Sequence, residues 1–148
     1  MLTFIGLGLY DDESITVEGR AALDDADRAF AEFYTSHLVG ATVEDLEAAH
    51  GIDIEVRDRA GVEQEPDDIL AAAEDDHIAF LTAGDTMIST THGGLRLRAI
   101  DRGIDTRVIH GVTAQTAASG LTGLQNYRFG KSVTLPFPAA HGGGDVPG

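Results

Sequence analysis

The sequence predicts an α/β fold, with a mostly parallel sheet of about five strands and helices on both faces. Two observations lead to this prediction. Short apolar segments of strand length alternate along the chain with segments whose apolar residues recur at helical spacing. Glycine, proline and helix-capping residues mark the boundaries between them. The chain of 148 residues is long enough to bury the core of one domain.

The first elements follow from apolar patterning. The run 2–6 predicts the first strand. Thr16 is expected to cap a helix with Glu18 in its first turn. Helical spacing then continues, which predicts a helix extending to Phe33. The apolar residues at this spacing are Ala22, Leu23, Ala26, Ala29, Phe30 and Phe33.

The middle of the chain predicts two more helices and a strand. Thr42 begins a helix that Gly51 ends, since glycine favours the backbone conformation just beyond a helix. Residues 52–56 alternate apolar and acidic side chains, which is typical of a half-buried strand. Pro66 suits the first position of a further helix.

The remaining segments predict three strands and two helices. The strands are the strongly apolar run 78–82, then 106–110, and a last strand at 132–135. The helices are 91–103 and a short alanine-rich one at 114–118. Right-handed crossovers between parallel strands would place every strand-to-helix turn at the carboxyl edge of the sheet.

The chain is strongly acidic, with 25 Asp and Glu against 10 Lys and Arg, and Lys131 is the single lysine. The acidic residues could bind a basic partner, mark disorder, or form a surface suited to high salt. A 43% hydrophobic content argues against disorder. At low salt the acidic side chains repel one another and oppose compaction. At about 1 M salt the Debye length is about 3 Å, so this repulsion is screened. We favour salt adaptation, because the low lysine content together with the retained arginines is similar to the composition of halophilic archaeal proteins.

Several classes of function are disfavoured by missing motifs. There is no basic stripe for nucleic acid, no cysteine, no transmembrane-length apolar run and no signal-peptide basic region. The six histidines form neither an HxH nor an HExxH motif, so no metal site is expected. For His92 and His110, a structural hydrogen-bonding role is favoured over a catalytic one. Neither a phosphate-binding Gly-Lys-Ser/Thr loop nor a Gly-x-Ser-x-Gly elbow occurs. These features predict a cytoplasmic protein without membrane or nucleic-acid partners.

Three turns, 6–12, 84–91 and 110–116, are expected to converge on one cleft, where open α/β sheets bind their ligands. In the first turn, Gly6 and Gly8 fit either a tight turn or close approach of the backbone to a ligand. The turn is not a full dinucleotide fingerprint, because Asp11 stands where the third glycine would be.

The other two turns carry residues that suit either a ligand or local structure. The Asp85 carboxylate can accept hydrogen bonds from ribose hydroxyls or an amino group, or it can cap a helix. The hydroxyl run 89–91 favours capping over binding. The small residues Thr113 and Ala114 leave room for a flat ring, or simply allow close helix packing. The residues alone leave the choice open for Asp85.

A series of segments carries a family resemblance across nearly the whole chain. The segments include Phe4-Ile5-Gly6-Leu7-Gly8-Leu9, Glu32-Phe33-Tyr34-Thr35-Ser36, Arg59 with Val62-Glu63-Gln64, Gly84-Asp85 with Thr90-Thr91-His92, Val108-Ile109-His110, and Gly123-Leu124-Gln125-x-Tyr127-x-Phe129-Gly130. Together they are similar to the diphthine synthase branch of the tetrapyrrole methylase family.

The resemblance implies a methyltransferase that uses S-adenosylmethionine and releases S-adenosylhomocysteine. Its substrate would be the amino group of a 3-amino-3-carboxypropyl histidine on translation elongation factor 2, in diphthamide biosynthesis. Members of the family have two α/β domains, form homodimers and bind the cofactor in the cleft between the domains. By motif match, the cofactor contacts in this chain would be Leu9, Asp85, Ile88, Thr113 and Ala114. No catalytic residue is assigned, although His92 is a candidate to position the substrate or orient its loop.

Two departures from the family pattern bear on this expectation. Thr86 stands where the family often has proline, which changes loop stiffness. We also expect the second domain to be missing, with 1–138 forming the N-terminal cofactor-binding domain and 139–148 a linker or truncated start of the next. Such a fragment would bind weakly or lack activity. The alternatives are a tetrapyrrole methylase of precorrin or sirohaem type, a non-catalytic dimerising fragment and, less favoured, a dinucleotide-binding oxidoreductase.

Overall fold

The computed structural model of the protein describes residues 1–135 and confirms the predicted α/β class. One parallel sheet has the strand order β3-β2-β4-β1-β5. Because β1 and β4 lie in the middle, every one of their residues is buried. The strands are β1 (Leu2–Gly6), β2 (Arg28–Glu32), β3 (Ile54–Arg57), β4 (Ile78–Thr82) and β5 (Thr106–Ile109).

Helices cover both faces of the sheet. Alternate strand residues point to opposite faces, so the core has two layers. One layer joins Ala31 and Leu81 to the first two helices, and the other joins Phe30 and Phe80 to the third, fourth and fifth. The helices are α1 (Val17–Asp24), α2 (Val43–His50), α3 (Arg59–Glu63), α4 (Asp67–Asp75), α5 (His92–Asp101) and α6 (Ala114–Thr122), followed by a 3₁₀ turn at Asn126–Arg128.

The predicted caps of α1 and α2 are confirmed. The Thr16 hydroxyl accepts a hydrogen bond from the Gly19 N–H at 2.9 Å. Thr42 and Asp45 form a reciprocal capping box, in which each side chain accepts a hydrogen bond from the other residue's N–H. Gly51 ends α2 in the left-handed conformation, with φ of 68°. These local signals therefore set the boundaries of both helices.

The predicted helix extending to Phe33 is wrong in its second half. The helix ends at Asp24, and Arg28–Glu32 forms β2 between β3 and β4. Residues 29–32 are buried whichever face they point to, as expected of an interior strand. A run that is apolar on both sides satisfies helical spacing as easily as a strand, which explains the error.

Three smaller differences concern other boundaries. Residues 132–135, predicted as the last strand, are exposed and form no regular element. Pro66 precedes α4 by one residue rather than being its first. Helix α3 was not predicted, and it is only five residues long, with the Asp58 side chain accepting a hydrogen bond from the Gly61 N–H.

The chain divides into two compact units, Met1–Ala114 and Gln115–Gly148. The first contains the sheet and helices α1 to α5. The second, described as far as residue 135, contains most of α6, which has no buried residue, and the 3₁₀ turn. The predicted domain 1–138 stays a prediction, and 139–148 lies outside the described residues. Among the described helices, none has the length and apolar character to cross a membrane.

Candidate functional site

Three turns meet at glycines where the neighbouring strands β4, β1 and β5 end. A Cβ atom built on Gly6 would lie 2.6 Å from the Gly84 carbonyl oxygen and 2.6 Å from the Gly111 nitrogen. A Cβ on Gly111 would come closer still to the same Gly84 oxygen. Only glycine permits backbones to approach this closely. The predicted convergence of the turns is thus confirmed, and we call this contact of Gly6, Gly84 and Gly111 the glycine junction.

Backbone hydrogen bonds lock the first turn to the second. The Gly84 N–H donates to the Gly8 carbonyl at 2.7 Å, and the Gly8 N–H donates back at 3.2 Å. Both glycines have a left-handed backbone, with φ of 75° and 76°. Leu9, a predicted cofactor contact, follows directly and is half-buried. This pair of backbone hydrogen bonds therefore fixes the position of the Leu9 backbone relative to Gly84.

Asp85 makes two hydrogen bonds within the site. Its Oδ1 accepts from the Met87 N–H at 2.8 Å, which tightens the turn, and its Oδ2 lies 2.9 Å from His110 Nδ1. The Asp85 side chain is 8% exposed, whereas that of His110 is 74% exposed. A carboxylate at Nδ1 orients the imidazole and leaves Nε2 as the outward ring nitrogen. Asp85 is therefore a local structural group, and each of its oxygens still has a second lone pair for a ligand.

The other predicted contacts lie around the same junction. Thr113 Cα is 3.9 Å from the position of a Cβ on Gly84, so the turn after β5 reaches the second turn. Ile88 is 42% exposed and stands in the second turn, while Ala114 is exposed at the start of α6. The structure thus gathers the motif-matched residues at one edge of the sheet, and their contact with a cofactor stays a prediction.

The hydroxyl run of the second turn is used mostly within the protein. The Thr90 hydroxyl donates to the Thr86 carbonyl at 2.7 Å, and the Thr91 hydroxyl donates to Glu63 at 2.9 Å. The capping expected of this run comes from Thr90, whose hydroxyl accepts a hydrogen bond from the His92 N–H at 3.4 Å, whereas Thr91 makes no side-chain capping bond. Ser89 adopts a left-handed φ of 56°, which is uncommon outside glycine and signals a restrained turn.

His92 is not placed to touch a substrate, because it is fully buried at the first position of α5. Its Nε2 lies 2.8 Å from Glu32 Oε1, and its ring meets Phe80 edge-on at 5.0 Å. Burial is the largest influence on the pKa of Glu32 and would raise it. The hydrogen bonds from His92 and Thr35, with the His92 charge, outweigh burial and hold that pKa below its usual value.

Sequence reasoning missed the two side-chain pairs that organise this edge. Glu32 was assigned to a helix, so nothing suggested that it would end a strand beside His92. Asp85 and His110 follow β4 and β5, which are separated by β1. The one available signal was the row of glycines at the ends of these strands, since glycine lets the backbones of the turns after β4 and β5 approach each other above β1. Within residues 1–135, no group of three histidine or acidic side chains could hold a metal ion.

Comparisons with known proteins agree with this fold. A crystal structure of a diphthine synthase superposes with a TM-score of 0.84 at 40% identity, covering 87% of this chain and 51% of that one. A diphthine synthase from Halorubrum lacusprofundi is 80% identical over 148 residues, which is 100% of this chain and 56% of that protein. One from Methanocella arvoryzae is 57% identical over 139 residues, or 93% of this chain and 54% of that protein.

This chain therefore spans about half the length of the curated relatives it matches. A family model described as Tetrapyrrole (Corrin/Porphyrin) Methylases matches residues 1–144, almost the full sequence. The chain belongs to the tetrapyrrole methylase family.

Proposed function

We propose that this chain is the S-adenosylmethionine-binding part of a diphthine synthase. The glycine junction carries the proposal, because it packs together the three turns that hold the predicted cofactor contacts, at the carboxyl edge where open α/β sheets bind their ligands. The names of relatives with up to 80% identity support the choice of enzyme. The acidic composition and the halophilic relatives both support a salt-rich working environment.

The residues at the junction fit this cofactor in chemical type. Asp85 offers lone pairs to hydroxyl or amino donors. Ile88 offers exposed apolar surface, and the small Thr113 and Ala114 leave room for a flat ring. With Leu9 they form the proposed contact set. We call residues 84–91, which include Asp85 and Ile88, the cofactor turn.

The proposed reaction transfers a methyl group to the amine of the 3-amino-3-carboxypropyl histidine of translation elongation factor 2. S-adenosylmethionine supplies the electrophilic methyl group. The residues of the enzyme align the neutral amine with that methyl carbon and exclude water. The amine releases its proton before attack, and solvent is a sufficient acceptor. The product is S-adenosylhomocysteine, and no metal takes part.

The whole enzyme is proposed to be a homodimer, as the family resemblance implies, and to be cytoplasmic, because its protein substrate acts in translation. The remaining part of the enzyme would supply further cofactor contacts. This arrangement leaves a precorrin or sirohaem methylase as the alternative within the same family. Methylation assays on elongation factor 2 and on a precorrin, using a full-length enzyme that contains this chain, distinguish the two substrates.

The direct test is calorimetric titration of S-adenosylhomocysteine into this chain in concentrated KCl. We expect saturable binding that Asp85→Ala weakens. The matched control is Asp75→Ala, which removes an exposed acid at the end of α4. Equal affinity in the two variants would contradict the role of Asp85. If the folded chain does not bind, the titration is repeated with the full-length enzyme, and failure there overturns the cofactor assignment.

A further inference from the structure

Glu32 and His92 form a fully buried pair that joins two turns. Glu32 is the last residue of β2 and His92 is the first of α5. Glu32 Oε1 lies 2.8 Å from His92 Nε2, and Oε2 accepts a hydrogen bond from the Thr35 N–H at 3.0 Å. Neither side chain of the pair is exposed to solvent. One carboxylate thus connects the segment after β2 to the end of the cofactor turn.

Other buried polar groups lie on β4 and in the cofactor turn, which are next to the segments that this pair joins. The Thr82 and Thr86 hydroxyls and His92 Nδ1 are buried without a hydrogen-bond partner in the described part of the chain. Thr82 lies opposite Glu32 in the pairing of β2 with β4. Burial, with the nearby Glu32 charge, raises the pKa of Tyr34 to about 12, so its phenol stays neutral.

Stability alone does not account for such a cluster. An apolar replacement of similar shape is often as stable as a buried ion pair, or more stable. Buried polar groups that lack partners add further cost, and each calls for a separate explanation. The position of the cluster beside the cofactor turn supplies one.

Each end of the cofactor turn is anchored to a different neighbour. At its start, Gly84 exchanges backbone hydrogen bonds with Gly8. Just past its end, His92 is held by Glu32. Between the anchors, Ser89 has an unfavourable left-handed backbone, a conformation that persists only when the surrounding structure enforces it. Ile88 directly precedes Ser89 and so belongs to the same restrained segment.

We propose that Glu32 and His92 are positioning residues that hold the cofactor turn, and with it Asp85 and Ile88, in the conformation that receives the cofactor. This inference rests on the proposed function for the identity of the ligand. The restraint itself is a property of the chain and can be measured without any ligand.

Two histidine variants separate the bonded ring nitrogen from the unbonded one. His92→Gln places an amide N–H near the position of Nε2, where it can donate to Glu32. His92→Asn places its amide near Nδ1 and loses that contact. Glu32→Gln removes the charge of the pair. Its matched control is Glu55→Gln, which makes the same change in the surface ion pair of Glu55 with Arg28. The Glu55 side chain is 40% exposed and that of Arg28 is 44% exposed.

The measurement is amide hydrogen exchange of residues 85–91, followed by titration with S-adenosylhomocysteine. We expect exchange in the turn to accelerate about tenfold in Glu32→Gln and His92→Asn while β1 stays protected, and to change little in His92→Gln and Glu55→Gln. The dissociation constant should rise in the same order, also by about tenfold. The inference is overturned if His92→Asn and His92→Gln protect the turn equally, even if Glu32→Gln fails to fold. Absence of binding in the full-length enzyme and in all its variants, with the expected exchange pattern, would count against the proposed function alone.

Discussion

Replacing Gly6 with alanine tests whether the three turns are as tightly packed as the structure indicates. The new methyl carbon would lie 2.6 Å from backbone atoms of both Gly84 and Gly111, whereas ordinary contacts begin near 3.4 Å. Both obstacles are backbone, so no side chain can rotate away. Overpacking of this kind costs about 1–3 kcal/mol or somewhat more. That is a large part of a total stability of about 5–15 kcal/mol.

Two other glycines provide the controls. Gly84→Ala meets nothing closer than 3.9 Å, so it carries only the strain of φ at +75°, about 1–2 kcal/mol. Gly93 lies in α5 with open space around it, and alanine there should stabilise the chain by about 0.4–1 kcal/mol. Urea unfolding in concentrated KCl, followed by circular dichroism, measures all three. Wild-type stability in Gly6→Ala, together with unchanged binding of S-adenosylhomocysteine, would refute the close packing of the junction.

Three further predictions concern charge. The pKa of Glu32 is lower in the folded protein than its usual value of 4.5, so its stabilisation is complete above about pH 4.5 and is lost as the pH falls through the folded pKa. Urea unfolding between about pH 6 and pH 3 should show a steeper acid loss in the wild type than in Glu32→Gln, and equal slopes would contradict this. Asp85→Ala should lower stability by about 1 kcal/mol, because the Met87 N–H and His110 lose their acceptor; a loss above about 3 kcal/mol would make Asp85 chiefly structural. Stability should rise between about 0.1 M and 1 M KCl as the Debye length falls from about 10 Å to about 3 Å, and a flat response would count against salt adaptation of a chain with net charge −15.

Local signals predicted the parts of the fold that local physics determines. Thr16 and Thr42 cap their helices because a side-chain oxygen next to free N–H groups is favourable in almost any tertiary setting. The runs 2–6 and 78–82 were recognised as strands because they are too short and too apolar for an amphipathic helix. The handedness of crossovers then brought the turns to one edge. The convergence of the three turns therefore followed from general rules, without any knowledge of side-chain contacts, whereas the contact of Gly6, Gly84 and Gly111 was not predicted.

Contacts that depend on strand order could not be predicted in this way. Asp85 and His110 meet across β1, so their pairing requires knowing that β1 lies between β4 and β5. Hydrogen-bonding side chains that follow two parallel strands are predicted to lie at the same edge of the sheet. This pattern does not specify which of those side chains touch each other. The sequence offered a helix cap, or a ligand contact to ribose hydroxyls or an amino group, for Asp85. Its carboxylate also tightens the turn and orients a histidine, which the sequence did not suggest, and its contact with a ligand stays a prediction.

The error at β2 had the largest consequence for the site. Had Glu32 been on a surface helix, its charge would need no explanation, since exposed acids are abundant in this chain. As the last residue of an interior strand it is fully buried, and a buried carboxylate requires a partner. The partner has to reach the same face and the same edge of the sheet, and His92 at the start of α5 does so. Correct assignment of one strand would therefore have turned an ordinary acidic residue into a prediction of the Glu32–His92 pair. Disruption of that pair should therefore accelerate amide hydrogen exchange in the cofactor turn before it does so in the sheet.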